Sequence, residues 1–497
     1  MPKDTQISLS QLEQYLAKAA WILKGPVDAA DFKAYIFPLL FYKRISDVYE
    51  EEYKQALKES GGDEEYATLP EFHRFTIPEG CHWRDVRETT INVGQKLQYA
   101  FREIEKTNQE FLYGIFGDTQ WSNKEKLSDE LLIDLIEHFS KYELTNQNVE
   151  PDMLGQAYEY LIKHFADLTN KKAGEFYTPR NVVSLMINIL DPKEGDKVYD
   201  PACGTGGMLL EASHHIKESG KDARTLKLYG QEKNLTTSTI VRMNMFLHGI
   251  EDFNIIRGDT LRDPAFFDGD KLAKFNCVVA NPPFSLKKWG SKKWEPDPFG
   301  RNLFGVPNDS NGDYAWVQHM ISSMESIVGR MAVVLPQGAL TREGKEGKIR
   351  KSIIQNDLIE AVIGLGSNIF YGTTLAPCII VLRKQKVRNK INKIIFIDAS
   401  EQMKTGRAQN FLEKKHIIQI YKWYDKYAEV KNYVHIASLK EVKDNDYSLS
   451  IPLYIEKEIE DFLPKIDDVK KQANITIQKM WDSEKYFKKQ LKKFDLL

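Results

Sequence analysis

The sequence predicts an α/β protein in which a doubly wound sheet follows an N-terminal helical domain and precedes a C-terminal helical tail. Seven short apolar runs alternate with helical segments between residues 198 and 382, which is the pattern of strands joined by crossover helices. Apolar residues recur at three- and four-residue spacing before residue 150 and again after residue 455, as in amphipathic helices. The 497 residues therefore divide into three predicted domains, 1–150, 151–450 and 451–497.

Composition limits the class of protein. Hydrophobic residues make up 42% and charged residues 28%, which excludes a wholly disordered chain. The 69 Lys and Arg residues against 71 Asp and Glu give a net charge of -2, whereas nucleic-acid-binding proteins usually carry a basic excess. The four cysteines lie far apart, and no apolar run reaches about 18 residues. We expect a cytoplasmic protein without a metal centre, a disulfide framework or a membrane span.

The N-terminal domain is predicted to be helical. Its strongest periodic segments are residues 12–22, 32–53 and 131–139, each with an apolar stripe at helical spacing. His73 and His82 stand among arginines without the spacing of metal ligands. We therefore expect both histidines to lie on the surface.

The central domain is predicted to begin with a helix at residues 152–168. The predicted strands are residues 198–199, 226–229, 254–256, 277–280, 331–335, 361–365 and 378–382. Residues 284–313 are rich in Gly, Pro, Asn and Lys, and a loop of that length in a compact domain is usually functional or disordered.

The first predicted strand leads into a glycine-rich turn, Asp-Pro-Ala-Cys-Gly-Thr-Gly-Gly, at residues 200–207. Glycines allow a sharp turn and close approach to a ligand, and open α/β sheets bind ligands at the carboxyl ends of their strands. No Lys-Ser/Thr pair follows, which argues against a P-loop nucleotide hydrolase. Glu232, after the second strand, could hold both hydroxyls of a ribose. The pair indicates a nucleoside site, NAD included, with a purely structural turn as the alternative.

Asp259 follows the third predicted strand and adds an acceptor beside the same cleft. It could accept a hydrogen bond from an adenine amine. An N-cap of a following helix explains a lone aspartate equally well.

The fourth predicted strand leads into Asn281-Pro282-Pro283-Phe284. Proline has no N–H, so the carbonyl groups of this turn remain free as acceptors. The Asn281 oxygen and the Pro282 carbonyl could hold the two hydrogens of an exocyclic NH2, and Phe284 offers a ring for stacking on a planar base. This combination predicts a site for an amino group on a planar ring.

Taken together, Gly-Glu-Phe-Tyr-Thr-Pro at 174–179, the glycine-rich turn, Glu232, Asp259 and Asn281–Phe284 resemble the motif series of S-adenosylmethionine-dependent amino-methyltransferases. Their order resembles the gamma class of DNA N6-adenine methyltransferases. Residues 43–47, 152–155 and 368–373 are similar to the modification subunit of type I restriction-modification systems. The resemblance covers nearly the whole chain, most strongly residues 151–400.

The resemblance implies a Rossmann-like methyltransferase sheet with S-adenosyl-L-methionine as its cofactor. It implies double-stranded DNA as the substrate. The implied protein partners are a specificity subunit, with two modification subunits for each, and a restriction subunit.

The resemblance also implies roles for individual residues. The residues implied to contact the methionine part of the cofactor are Gly174, Glu175, Phe176, Tyr177, Thr178 and Pro179. Those implied to form the loop around its amino-acid and sulfonium region are Asp200, Cys203, Gly204, Thr205 and Gly206. Glu232 would hold the ribose and Asp259 the cofactor adenine. The turn at Asn281–Phe284 would hold the target adenine, with Phe370 or Tyr371 on its other face.

The implied reaction is methyl transfer to the N6 amine of an adenine rotated out of the duplex. Holding an NH2 group does not specify the substrate, so cytosine N4 and a protein glutamine amide remain open. The non-enzyme alternative is a cofactor-binding scaffold without catalysis. The chain after residue 400 is too short for two target-recognition domains, which assigns sequence recognition to a partner.

A basic loop follows the predicted target-base turn. Its lysines are Lys287, Lys288, Lys292 and Lys293, interleaved with Trp289 and Trp294. Such a loop suits phosphates and an unstacked strand, and a solvated surface loop is the alternative.

The tail also suggests a contact surface. Its apolar residues at helical spacing are Ile459, Phe462, Ile466, Val469 and Ala473. This spacing is typical of a helix that packs against another helix, and Pro464 should break or restart it. We expect either a partner-docking helix or a solvated one. Together with the net charge of -2, this predicts weak DNA binding alone and strong binding in a complex.

Overall fold

The computed structural model describes residues 7–169, 178–370, 374–407, 409–457 and 466–494. The chain forms two compact units, residues 1–455 and residues 456–497. The first unit contains a helical region and a large sheet, and the second contains one long helix.

Nine α-helices precede the sheet in the described residues. They are α1 (Leu9–Leu23), α2 (Phe32–Glu59), α3 (Glu64–Ala67), α4 (Trp83–Arg87), α5 (Val93–Thr107), α6 (Gln109–Leu112), α7 (Asp129–Phe139), α8 (Pro151–Thr169) and α9 (Arg180–Leu190). The predicted helices at 12–22, 32–53, 131–139 and 152–168 are confirmed within α1, α2, α7 and α8. The Ser8 hydroxyl accepts from the Gln11 N–H and caps α1.

Residues 43–47, which carried part of the resemblance, have a structural role. Arg44 is buried and donates hydrogen bonds to the carbonyls of Leu144 and Val149. Asp47 pairs with Lys43 and accepts from the Leu144 N–H at 2.6 Å. These contacts attach α2 to the segment that leads into α8.

The prediction that His73 and His82 lie on the surface is wrong. The His73 ring stacks on Tyr49 with centroids 4.0 Å apart, and its Nε2 lies 2.8 Å from the Ala67 carbonyl. The His82 side chain is only 16% exposed, and burial lowers its pKa. The Tyr49 ring and the Ala67 carbonyl together form the site of the His73 imidazole, and sequence spacing does not reveal such a site.

The main sheet has nine strands, and a separate two-stranded hairpin lies beside it. The strands are β1 (Lys197–Asp200), β2 (Lys227–Glu232), β3 (Phe253–Arg257), β4 (Phe267–Asp268), β5 (Lys271–Leu272), β6 (Cys277–Ala280), β7 (Arg330–Pro336), β8 (Ile359–Leu365), β9 (Pro377–Arg383), β10 (Lys393–Ala399) and β11 (Val434–Ser438). The order in the main sheet is β11-β10-β8-β9-β7-β6-β1-β2-β3. Within the main sheet, strand pairs are parallel except those made by β9 and β11.

All seven predicted strands are confirmed, and the sequence reading missed β10, β11 and the β4–β5 hairpin. The remaining helices along the chain are α10 (Gly207–Glu218), α11 (Leu235–Leu247), α12 (Ser291–Trp294), α13 (Asp313–Ser323), α14 (Gly344–Gln355), α15 (Lys414–Lys426), α16 (Leu439–Asp444) and α17 (Ile466–Lys493).

Helices cover both faces of the sheet. Apolar residues of α9, α10 and α15 form one core with it, and those of α13 and α14 form the other. The helical region packs on the sheet domain through contacts between α8 and α11. Four residues of α11 belong to the N-terminal core, namely Ile240, Met243, Phe246 and Leu247. The predicted doubly wound α/β fold is confirmed.

Among its described residues, the second unit contains α17. Its Ile466 and Val469 side chains are 72% and 49% exposed. Both predicted alternatives, a helix that docks on a partner and a solvated helix, are consistent with this exposure. The predicted stripe residues Ile459 and Phe462, and Pro464, lie outside the described residues. No helix in the described ranges is both long and apolar enough to cross a membrane.

Candidate active site

The site lies at the point in the sheet where the strand order reverses, because β2 and β3 follow β1 on one side and β6 and β7 lie on its other side. Strands β1 and β6 are parallel neighbours, with Val198 opposite Cys277 and Tyr199 opposite Val278. Their carboxyl ends therefore bring the turn at 200–207 beside the turn at 281–284, at the crevice where such sheets bind ligands. A cavity of about 460 Å³ opens there, within the usual range of small-molecule sites. Thr178, Cys203, Thr205 and Asn281 are among the residues that line it.

The glycine-rich turn depends on backbone conformations and clearances that favour glycine. Gly204 has φ +52° and Gly206 has φ +88°, both in the left-handed region. A Cβ on Gly206 would lie 2.6 Å from both Val241 and Met245 of α11. The Cys203 N–H donates to the Gln231 carbonyl at 3.1 Å, which fastens the turn to the end of β2.

Glu232 lies against this turn, and its role at a ribose stays a prediction. Its Oε2 accepts from the Gly204 N–H at 3.0 Å and its Oε1 from the Asn234 N–H at 2.7 Å. Each oxygen has a further lone pair for a ligand hydroxyl. Burial raises the pKa of Glu232, against the lowering effect of these N–H donors.

Asp200 is buried at the start of the same turn. Burial raises its pKa to about 8, with the Ala202 N–H lowering it and the nearby Glu232 charge raising it. Asp200 is among the residues that line the cavity, and its contact with the cofactor stays a prediction.

Asp259 lies at the carboxyl end of β3 and is held by cations. Lys233 Nζ is 2.9 Å from its Oδ2, and Arg262 Nε is 3.7 Å from the same oxygen. No helix begins at Asp259 within the described residues 178–370, so the N-cap alternative is wrong. The next residue, Thr260, donates to the Pro201 carbonyl at 2.6 Å and joins this segment to the glycine-rich turn.

The Asn281 amide uses its nitrogen in a hydrogen bond, whereas its oxygen accepts none from the described residues. Its Nδ2 donates to Thr178 Oγ1 at 2.9 Å. Its buried Oδ1 has no hydrogen-bond partner among the residues that the structure describes. The contact brings the end of the predicted 174–179 segment to the turn at Asn281–Phe284. Gly174, Glu175, Phe176 and Tyr177 lie outside the described residues.

The two aromatic candidates for base stacking contact one another. The Phe284 and Phe370 ring centroids are 6.1 Å apart at an interplanar angle of 55°, within the spacing of rings in direct contact. Phe370 is 2% exposed, and Phe284 is partly buried. This geometry leaves no room for a base between the two rings. Tyr371 lies outside the described residues.

The basic loop exposes its lysines and buries its tryptophans. The exposed lysines are Lys287, Lys288, Lys292 and Lys293. Trp289 and Trp294 are 2% and 0% exposed, and their Nε1 atoms donate to the carbonyls of Asn308 and Leu261 at 2.8 and 2.7 Å. The expectation that these rings meet an unstacked strand is therefore wrong, because a small core of their own encloses them.

Arg301, which the sequence reading did not single out, anchors the same loop. It is 1% exposed, pairs with Asp297 at 2.8 Å and donates to the carbonyls of Thr260 and Leu261 at 2.9 and 3.1 Å. The segment 284–313 is thus a packed element joined to the Asp259 segment. The two tryptophans signalled this core, and Leu286 and Val306 of the same stretch pack against it.

Asp313 was also missed. It is fully buried and accepts from the Ser285 N–H at 2.8 Å, directly after the turn at Asn281–Phe284. An isolated acid at the start of a helix was the only sequence signal. Among the described residues, no three His, Cys, Asp or Glu side chains form a group that could hold a metal ion.

These features define a class of protein. A largely parallel α/β sheet with a glycine-rich turn after its first strand, an acid ending its second and an Asn-Pro-Pro turn beside them is the architecture of a methyltransferase of the Rossmann-like, S-adenosylmethionine-dependent kind.

Comparison with known proteins makes the assignment specific. Residues 149–462 match the family described as N-6 DNA Methylase, and residues 12–139 match the HsdM N-terminal domain. The type I restriction enzyme MjaVII methylase subunit of Methanocaldococcus jannaschii is 31% identical over 475 residues, which are 89% of this chain and 78% of that protein. The MpnII methylase subunit of Mycoplasma pneumoniae is 30% identical, over 90% of each chain.

A solved structure agrees with these relatives. The type I restriction-modification methyltransferase subunit of Streptococcus thermophilus superposes with a TM-score of 0.80 at 29% identity, covering 90% of this chain and 100% of that one. The chain belongs to the N-6 DNA methylase family, as a methylase subunit of the type I restriction-modification kind, and is an adenine-specific DNA methyltransferase.

Proposed function

We propose that this subunit methylates the N6 amine of an adenine rotated out of double-stranded DNA, with S-adenosyl-L-methionine as the methyl donor. The observation that carries the proposal is the Asn281 Oδ1 atom. It is a buried acceptor without a partner among the described residues, and Asn281 lines the cavity beside Cys203 and Thr205. Burying such an acceptor is unfavourable unless a ligand satisfies it, and an exocyclic amine would do so.

Residues of the cavity and of the neighbouring strand ends fit the cofactor. Cys203, Gly204 and Thr205 line the cavity, and Glu232 lies against their turn by accepting from the Gly204 N–H. Both Glu232 oxygens retain acceptor capacity for ribose hydroxyls, and Asp259 lies at the end of the next strand for the adenine amine. The volume of about 460 Å³ suits a nucleoside with an amino-acid substituent. When bound, the cofactor supplies an electrophilic methyl group on its sulfonium. Cys203, Gly204 and Thr205 would hold that end.

The protein's own contribution is to orient the amine and change its electronic state. The Asn281 oxygen accepts one amine hydrogen, and the Pro282 carbonyl is the second proposed acceptor. Two acceptors draw the amine toward a tetrahedral shape and localise its lone pair for in-line attack. Thr178 keeps the Asn281 amide in the required orientation by accepting from Nδ2. Positioning of this kind needs no covalent intermediate with the protein.

Base stacking is proposed for Phe284 on one face. Removing a base from the duplex costs a few kcal/mol, and stacking on an aromatic ring returns about 1–3 kcal/mol. Because the Phe284 and Phe370 rings are in contact, one of them would have to move for a base to stack between them.

DNA and protein partners complete the proposal. The exposed lysines of the basic loop would contact phosphates, and a specificity subunit, with two methylase subunits for each, would supply sequence recognition. A restriction subunit would join the same assembly. The exposed apolar residues of α17, such as Val469 and Trp481, are the proposed docking face for the specificity subunit. The near-neutral charge supports weak DNA binding by this subunit alone.

The test is incorporation of labelled methyl groups into DNA by the subunit purified with its specificity partner. Digestion of the product should give N6-methyladenine. Recovery of N4-methylcytosine or of methylated protein glutamine would contradict the adenine assignment, and failure to methylate with the partner present would favour the scaffold alternative. A target site carrying 2-aminopurine in place of the adenine should gain fluorescence on binding, and no gain would contradict base rotation.

A further inference from the structure

A buried carboxylate lies behind the target-base turn, and the reaction proposed above does not use it. Asp313 is the first residue of α13, and its side chain is fully buried. Its Oδ1 accepts from the backbone N–H of Ser285 at 2.8 Å, and its Oδ2 accepts from the Arg342 guanidinium. One carboxylate therefore connects the turn after β6 with the segment that follows β7.

The residue that Asp313 holds has a strained backbone. Ser285 has φ +51°, in the left-handed region that costs a non-glycine residue about 1–3 kcal/mol. Such conformations persist where the surrounding structure enforces them. Pro282 and Pro283 have no N–H, so they cannot fasten the turn by donating hydrogen bonds. The Asn281 side chain holds the start of the turn by donating to Thr178, and the Ser285 N–H, directly after Phe284, attaches its end to the buried Asp313.

Asp313 is itself held from the opposite side. Arg342 Nε donates to Glu346, which is 3% exposed, while the Arg342 backbone N–H donates to the Gly338 carbonyl at 3.0 Å. A Cβ on Gly338 would lie 2.8 Å from Arg342 Nη1, so glycine there leaves room for the guanidinium. A buried carboxylate is destabilising without a cationic partner in good geometry, and the Arg342 guanidinium is that partner for Asp313.

We propose that Asp313 is a positioning residue for methyl transfer. Through the Ser285 N–H it fixes the backbone next to Phe284 and hence the position of the target base, while Arg342 and Glu346 keep its carboxylate in place. The inference rests on the proposed assignment of residues 281–284 to the target base. Asp313 needs no contact with DNA or cofactor for this role.

The first variant is Asp313→Ala in the full-length subunit with its specificity partner. We expect kcat for DNA methylation to fall at least about tenfold, since a shift of about 1 Å at a reacting group can cost about 100-fold. Cofactor affinity, measured by calorimetry, should stay within about twofold, and the 2-aminopurine signal should change. Unchanged kcat would overturn the inference, as would cofactor affinity falling in proportion to kcat, which indicates general structural damage.

A matched pair isolates the hydrogen bond to Ser285. Asp313→Ala and Asp313→Asn are compared with Arg342→Met present in both, so that both lack the ion pair and only the second offers an oxygen to the Ser285 N–H. The Asn variant should have the higher kcat at equal cofactor affinity. Equal kcat in the two variants would overturn the inference. A wild-type complex that fails to methylate adenine contradicts the proposed function instead, and is detected before any variant is compared.

Discussion

The Asn281 Nδ2 atom donates a hydrogen bond to Thr178 Oγ1 at 2.9 Å, and this contact fixes the orientation of the amide. With Nδ2 engaged, the carbonyl oxygen is left as an acceptor beside the glycine-rich turn. The contact also spans 103 positions of sequence, so it ties the segment before the sheet to the turn after β6.

We predict that Asn281→Ala lowers kcat for DNA methylation by about 100- to 1000-fold, the usual effect of removing one oriented hydrogen bond to a reacting group. Cofactor affinity should be unchanged, because the lost oxygen faces the substrate amine. Labelled-methyl transfer with the specificity partner and calorimetry with the cofactor measure the two quantities. Retention of activity would reject the proposed mechanism.

A control for this prediction is Thr178→Val, which leaves the Asn281 oxygen in place and removes only the acceptor of Nδ2. The amide could then rotate, at a cost of about 1 kcal/mol in orientation, so we expect a loss of about five- to tenfold. A loss as large as that of Asn281→Ala would mean that Thr178 acts in another way.

Glu232→Gln should weaken cofactor binding, because its single amide oxygen can replace only one of the two carboxylate oxygens that accept from the Gly204 and Asn234 N–H groups. The amide can still accept from the Gly204 N–H, but hydrogen bonds to a charged group are worth about 1.5–3 kcal/mol, so we expect Kd to rise about 10- to 150-fold. Calorimetry with the cofactor alone is the measurement. Unchanged affinity would contradict the role of Glu232 at the ribose.

Asp200 should make the stability of the ligand-free protein depend on pH. Its pKa is raised to about 8 by burial, whereas the unfolded chain loses this proton near pH 4. Between these values the folded state binds one more proton than the unfolded state, so the free energy of unfolding falls as pH rises, by at most about 1.4 kcal/mol per pH unit. The effect is absent below about pH 4 and complete above about pH 8.

The check on this prediction is Asp200→Asn, which keeps the shape and removes the titrating group. Urea unfolding at about pH 5, 6.5 and 8 should show the wild type losing its advantage over the variant as pH rises. Parallel profiles for the two proteins would show that Asp200 is already ionised at pH 5.

Sequence periodicity predicted the strands that bear the site, because β1, β2, β3 and β6 are short apolar runs that end in polar or glycine-rich turns. The prediction overlooked β10, although residues 394–397 are an apolar run like those of the predicted strands. The shorter β11 includes His435 and Ser438 and is only partly buried, so its apolar signal is weaker. Sequence predicted the burial and contacts of individual side chains less well than it predicted the strands. Trp289 and Trp294 stand between lysines, yet they are buried through contacts with Leu261 and Asn308 at distant positions. Asp313 acquires its role only when Ser285 and Arg342 meet it in space.

The last prediction concerns the basic loop. Replacing Lys287, Lys288, Lys292 and Lys293 by alanine should reduce the salt dependence of DNA binding, because each phosphate contact contributes about 0.9 to the slope of log K against log salt. The buried tryptophans, which anchor the loop, remain in the variant, so its conformation should persist. The control replaces four exposed lysines of the helical region, Lys54, Lys58, Lys106 and Lys141. It makes the same change in net charge. A slope that falls by about 2–4 only in the loop variant supports the interface, and equal falls in both variants would attribute the effect to overall charge.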